Sequence, residues 1–178
     1  QNAVLGRANQ FLIRRASHVA TAFEHVSELK EEYLKKATWT GNPVRPEIVS
    51  IRQLQYPTLD DKGPLRLLVT GGSQGANTFA SVVPTALAAL KATVRSRIHV
   101  SQHCRPEDKK LVSEAYRVAG IDCDISTFFD DMDMRLAASH LLICRAGAST
   151  MAELTTAGRP AILVPYPHAI DDHQSENA

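Results

Sequence analysis

From residue 65 onward the chain alternates short apolar runs with stretches of helical spacing. Residues 65–70, Leu-Arg-Leu-Leu-Val-Thr, have the length and apolar character of a buried strand. A helix is predicted over 76–90, with Pro84 expected to kink or break it. A second strand follows at 97–101. Pro106 then opens a helix over 106–119, with Glu107 and Asp108 in its favourable first turn and Gly120 as its stop. The pattern continues with a strand at 124–129, a helix at 130–138, a strand at 140–144, and a helix at 150–157 ended by Gly158. A fifth strand at 161–164 is closed by Pro165-Tyr166-Pro167. Strands separated by helices imply parallel pairing, so the expected fold is α/β, a Rossmann-like doubly wound parallel sheet. In such sheets ligands sit beyond the carboxyl ends of the strands.

The first part is patterned differently. Residues 9–16 suggest a helix, 18–23 a strand and 27–36 a charged helix. Thr40-Gly41-Asn42-Pro43-Val44-Arg45-Pro46 then interrupts both helix and sheet and reads as an interdomain linker. Residues 1–44 are therefore expected to be the tail of one domain, with a hinge near 41–46, and 45–178 most of a second. A chain that opens on Gln1 in mid-pattern and stops in what looks like a helix reads as a piece of something longer.

Composition narrows the function classes. A net charge of +1 gives no electrostatic reason to expect a nucleic-acid partner. The three cysteines, Cys104, Cys123 and Cys144, have no paired spacing and suit free thiols, with Cys144 in an apolar run expected in the core. No apolar stretch approaches the roughly twenty residues of a membrane span, and no signal peptide is recognisable.

Three segments carry candidate chemistry. The first is Gly71-Gly72-Ser73-Gln74-Gly75-Ala76, directly after the first strand. Backbone N–H groups at a helix start, with its partial positive charge, favour an anion such as a diphosphate. The segment lacks the Lys-Ser/Thr of a P-loop and the G-x-G-x-x-G spacing of a dinucleotide site. At the end of the second strand it has Ser101-Gln102-His103-Cys104 where that site wants an acid. A dinucleotide oxidoreductase is thereby disfavoured. A plain tight turn would use glycine in the same way.

The second segment, Cys144-Arg145-Ala146-Gly147-Ala148-Ser149-Thr150-Met151-Ala152-Glu153, repeats the strand, small-residue turn and helix start. Its small residues would admit a ligand close to the backbone. Glu153 could accept hydrogen bonds from two ribose hydroxyls. The bland alternative is that Thr150 and Glu153, at T-x-x-E spacing, form a capping box. The third segment runs from Pro165 to Gln174 and suggests a reader of sugar hydroxyls. His168, Asp171, Asp172 and His173 invite a metal reading, but adjacent residues rarely ligate one ion and no metal motif supports it, so no metal is expected. Asp130, Asp131 and Asp133 read as a capping, solvated turn. His18, His25, His99, His103 and His140 read as isolated core-edge or surface residues.

Taken in order, these motifs resemble one family. Gln1-Asn2-Ala3, Gly41-Asn42-Pro43-Val44-Arg45, Gly71 to Ala76, Phe128-Phe129-Asp130-Asp131-Met132, Cys144 to Glu153, and Val164 to His168 through Asp172-His173-Gln174 are similar to the MurG family. Its members are bacterial UDP-N-acetylglucosamine:undecaprenyl-diphospho-muramoylpentapeptide N-acetylglucosaminyltransferases. The resemblance covers nearly the whole chain. It implies a GT-B fold, two Rossmann-like domains across a cleft, and transfer of GlcNAc from UDP-GlcNAc to lipid I, giving lipid II for peptidoglycan. The reaction inverts the anomeric centre, needs no organic cofactor, and takes place at the cytoplasmic face of the plasma membrane, where the enzyme is peripheral.

Carried over motif by motif, the resemblance implies a UDP-GlcNAc site. Ser73 would contact the diphosphate, with Gly72 and Gln74 shaping the loop, and Arg45 would add a charge-assisted contact. Phe129 would present backbone groups to the uracil. Ala148, Ser149, Thr150, Met151 and Ala152 would bring a helix start to the α-phosphate, and Glu153 would hold the ribose. Gln174 would read sugar hydroxyls, and Asn2 would reach the donor from the first domain. His173 stands where some members have a second Gln. The catalytic base is expected upstream of Gln1, so this chain alone is expected to bind donor without turnover. The alternatives are another GT-B UDP-sugar transferase with a lipid acceptor, such as a diacylglycerol glycosyltransferase, or a non-catalytic nucleotide-binding module. Phe11, Leu12 and Ile13 beside Arg14 and Arg15 suggest interfacial membrane contact.

Overall fold

The structure is a computed structural model that describes residues 1–167 and 173–178, and the backbone alone for 73–76. The first segment comprises α1 (Arg7–Leu12), β1 (Val19–Thr21), α2 (Glu31–Leu34) and β2 (Ala37–Trp39), with β1 and β2 paired in parallel. The predicted charged helix over 27–36 is reduced to the single turn of α2. None of its residues is buried, so no packed apolar face holds a longer helix together.

The rest forms α3 (Pro46–Ile51), β3 (Leu65–Thr70), α4 (Gly72–Ala88), α5 (Ala92–Arg95), β4 (Ile98–His103), α6 (Lys109–Ala119), β5 (Asp122–Ser126), α7 (Met132–Ala138), β6 (Leu141–Cys144), α8 (Ala148–Ala157), β7 (Ala161–Leu163) and α9 (His173–Asn177). The linker reading extends one residue too far. Pro46 sits in the first turn of α3, where its missing N–H costs nothing. Residues 106–108 are a 3₁₀ turn leading into α6.

The five later strands make one parallel sheet in the order β5-β4-β3-β6-β7. This is the doubly wound order, with its reversal between β3 and β6. Alternation along β3 sends Leu67 and Val69 to one face and Leu68 to the other. On the first face they meet Phe79, Val83 and Leu87 of α4, and Val112 and Tyr116 of α6. On the second, Leu68 and Leu142 meet Ile48 and Ile51 of α3, Leu136 of α7 and Leu154 of α8. Two helical layers therefore cover the sheet, which explains the continuous apolar runs of its central strands.

Pro84 does not end α4, which continues through it to Ala88. Both glycine stops hold: Gly120 and Gly158 cap α6 and α8 in the left-handed conformation. At the amino-terminal edge of the sheet, His140 is buried and fully used. Its Nδ1 accepts from the Arg66 N–H at 2.9 Å, and its Nε2 donates to the Thr58 carbonyl at 3.2 Å. It is a structural residue rather than a surface one.

Candidate functional site

At the topological reversal a cavity of about 520 Å³ opens over the carboxyl ends of the strands. Its walls come from every later strand. Thr70 ends β3 and Gly71 and Gly72 follow it, His103 ends β4, Phe128 and Phe129 follow β5, Arg145 and Gly147 follow β6, and Tyr166 follows β7. Its volume suits a nucleotide-sized ligand.

Two helices start at this cavity. α4 is preceded by Gly71 and α8 by Gly147, and neither start carries a side-chain cap. No cap side chain therefore occupies the first N–H groups of either helix, and both positive dipole ends serve the same space. Gly72 has a φ of +64°, and a Cβ there would meet nothing within 4 Å. Its requirement is conformational rather than steric. Ser73 and Gln74 lie in the first turn of α4 rather than in a loop ahead of it, so the helix starts four residues earlier than expected.

The capping-box alternative for Thr150 and Glu153 is overturned. Because Gly147 holds the cap position, Thr150 is already in the first turn and Glu153 lies beyond reach of the cap. The Glu153 carboxylate instead accepts from Arg45 Nε at 3.0 Å, and both side chains line the cavity. With side-chain exposures of 56% and 28%, this pair contributes on the order of 0.2–1 kcal/mol. A ligand that engages either partner loses little by breaking it.

Gln174, on α9, lines the same cavity, and its Oε1 accepts from the Tyr166 N–H at 2.9 Å. That bond leaves the Nε2 donors for other partners. Phe129 is buried beneath Arg135, whose guanidinium lies 3.9 Å from the ring centroid. Arg135 also reaches Asp131 through Nε and Asp124 through Nη1, each at 2.7 Å, and Ser101 through Nη1 at 3.0 Å. Asp131 holds the cap position of α7 without capping it. Its hydrogen bond from Arg135 keeps its carboxyl below the usual range. The acidic cluster is thus partly a brace for the Phe129 loop, which corrects its reading as a capping turn.

The expected site residues do not all converge. Arg45, Gly72, Phe129, Thr150, Glu153 and Gln174 line the main cavity. Ala148, Met151 and Ala152 face a separate cleft with Trp39 and Asn42 on the other side of α8, and Ser149 is exposed. Asn2 lines neither space. Its Oδ1 accepts from Asn177 Nδ2 at 3.2 Å, while Asn177 Oδ1 accepts from the Ala3 N–H at 2.9 Å and Nδ2 also donates to the Ala146 carbonyl at 3.0 Å. The side chains of Ser73 and Gln74, and the residues His168, Asp171 and Asp172 of the metal alternative, lie outside the described residues.

Three contributors escaped the sequence reading. His103 lines the cavity and donates through Nε2 to the Thr127 carbonyl at 2.6 Å. Asn177 ties the first segment to the loop after β6. Arg145 is buried in the cavity wall; its position directly after an apolar strand and before a glycine turn was the available signal. Among the described residues no helix is long and apolar enough to cross a membrane.

Residues 66–178 match the model of the glycosyltransferase family 28 C-terminal domain. Over its whole length the chain is 52% identical to a protein of Zymomonas mobilis and 52% identical to one of Paramagnetospirillum magneticum, covering 46% and 48% of them. Both carry the name UDP-N-acetylglucosamine–N-acetylmuramyl-(pentapeptide) pyrophosphoryl-undecaprenol N-acetylglucosamine transferase. A crystal structure of Acinetobacter baumannii MurG superposes with a TM-score of 0.73 at 30% identity, over 99% of this chain and 47% of that one. The chain spans about half the length of the curated relatives it matches.

Proposed function

Because this chain belongs to the family of the glycosyltransferase family 28 C-terminal domain, we propose that its cavity is the UDP-GlcNAc half of a GT-B transferase. The observation that carries the reading is the meeting of two uncapped helix starts, those of α4 and α8, in one cavity with Glu153 and Gln174. The helix starts and Ser73 receive the diphosphate, Glu153 the ribose hydroxyls, the Phe129 backbone the uracil, and Gln174 the sugar. Arg45, released from Glu153, turns to the donor. Residues 1–44 belong to the acceptor domain, and Asn2 approaches the sugar as the two domains close.

The whole protein, in this reading, transfers GlcNAc to undecaprenyl-diphospho-muramoylpentapeptide with inversion, forming lipid II at the cytoplasmic face of the plasma membrane. Stabilising the departing UDP is the part of catalysis performed here, by preorganised dipoles aimed at the charge that develops as the bond breaks. Deprotonation of the acceptor hydroxyl requires a base in reach of it, and none is assigned within these residues. The chain alone therefore binds donor and does not turn over.

Calorimetric titration of UDP-GlcNAc into the chain tests the reading. Binding is expected, and Glu153→Ala should weaken it about tenfold by removing charge-assisted bonds to the ribose. Unchanged affinity in that variant would sink the ribose assignment. Stronger binding of a different UDP-sugar would favour another GT-B transferase.

A further inference from the structure

Two arginines are buried to the same extent, each 7% exposed, yet they are satisfied very differently. Arg159, just ahead of β7, uses all three guanidinium nitrogens. Nε donates to the Leu136 carbonyl at 3.3 Å, Nη1 to Ala157 at 3.2 Å and Nη2 to Ala137 at 3.0 Å. Those carbonyls lie in the last turns of α7 and α8, where the helix dipole is negative and meets the charge.

Arg145, at the opposite end of the sheet, uses only one. Its Nη1 donates to the carbonyls of Val164 at 3.1 Å and Pro165 at 2.9 Å, while Nε and Nη2 are buried without a partner among the described residues. Its remaining neighbours are the rings of Phe79 and Tyr166, with centroids 4.8 and 5.4 Å away. No carboxylate among the described residues forms an ion pair with it. The helix starts that share its cavity add positive potential instead of offsetting it. Burial lowers its pKa, yet a guanidinium stays charged at neutral pH. An unpaired buried cation with idle donors is costly unless a ligand completes it.

We infer that Arg145 is the residue that compensates the diphosphate charge, through Nε and Nη2, and so makes the site selective for a nucleoside diphosphate over the nucleoside. The inference rests on the donor-site reading and adds to it a cation absent from the resemblance. Nη1 meanwhile keeps its hold on the 164–165 carbonyls. The next residue, Tyr166, fixes the Gln174 amide through its N–H. Arg145 thereby links the position of the phosphate charge to that of the sugar reader.

The test is calorimetric titration of uridine and UDP into the full chain, comparing Arg145→Gln and Arg145→Lys with the unsubstituted protein. The unsubstituted protein should prefer UDP. Arg145→Gln should lower UDP affinity about ten- to a hundredfold, the range of a lost hydrogen-bonded charge, and leave uridine affinity unchanged. Lys should recover part of the preference, having the charge without the fork. Equal losses for uridine and UDP would mark a merely structural residue and overturn the inference, as would unchanged UDP affinity. Should the Gln variant not fold, the Arg145 Nε–H resonance of the unsubstituted chain decides. It should shift with UDP and stay in place with uridine; a resonance indifferent to UDP overturns the inference. If UDP and uridine bind equally well to the unsubstituted chain, the charge assignment falls and the nucleotide site stands. If neither binds, the donor-site reading falls and takes the inference with it.

Discussion

At the scale of single residues, the same side-chain type takes opposite roles according to what surrounds it. Arg45 is half exposed and weakly paired, Arg135 is braced by two carboxylates, Arg159 is neutralised by helix ends, and Arg145 is left with two idle nitrogens. Cysteine shows the same dependence. Cys144 is fully buried at the end of β6, and burial pushes its thiol up to about 11. A thiol with a raised folded pKa stabilises the fold fully below its unfolded pKa, about 8.5, and loses that contribution as pH rises through the folded value. The chain's stability should therefore decline above pH ~9. Cys144→Ala should reduce that slope by up to ~1.4 kcal/mol per pH unit, measured by urea unfolding at stepped pH. Alkylation of the native chain at neutral pH should reach Cys123, which is partly exposed, before Cys104 or Cys144.

At the scale of elements, glycine placement decides where helices stop. Gly120 ends α6 with a φ of +66°, and a Cβ there would meet nothing within 4 Å. Gly120→Ala should thus cost about 1–2 kcal/mol, the penalty of a left-handed L-residue, with no steric addition; a urea midpoint unchanged by the substitution would refute this. The central β3 and β6 were legible as apolar runs because helices cover both of their faces; β4 and the edge strands β5 and β7, where Asp122 and Ile162 are exposed, were placed by shorter runs and the turn residues around them. What stayed hidden depends on distant partners. α3 was masked by the prolines around it, and it forms because Ile48 and Ile51 pack under Leu68 and Leu154. Among the described residues β2 pairs only with β1, a contact no local pattern announces. In the site, the two strand–glycine turn–helix junctions were visible locally, whereas the T-x-x-E spacing of Glu153 pointed to a capping box that α8 does not form. Arg145 did not stand out, since its environment is built by Phe79, Val164, Pro165 and Tyr166, all remote in sequence.

At the scale of the whole molecule, the Asn177 amide joins the opening residues to the loop between β6 and α8. It is buried, and its oxygen and both of its N–H groups are used, by Ala3, Asn2 and Ala146. Removing it in Asn177→Ala strands three partners at once, so a loss of about 2–3 kcal/mol is expected, read as a lower urea midpoint. Amide exchange at Ala3 should accelerate in that variant while Leu67 and Val69, at the centre of the sheet, keep their protection; equal acceleration everywhere would mean the bond has no local role. The separation of 174 positions between Ala3 and Asn177 also sets a timetable. Closing so long a loop is entropically costly until intervening structure shortens it, so the sheet assembles first and this bond last. During synthesis the residues around Asn2 wait, unfastened, until α9 has emerged. The same bond, made latest, is placed to open earliest, and the Ala3 amide would record both events.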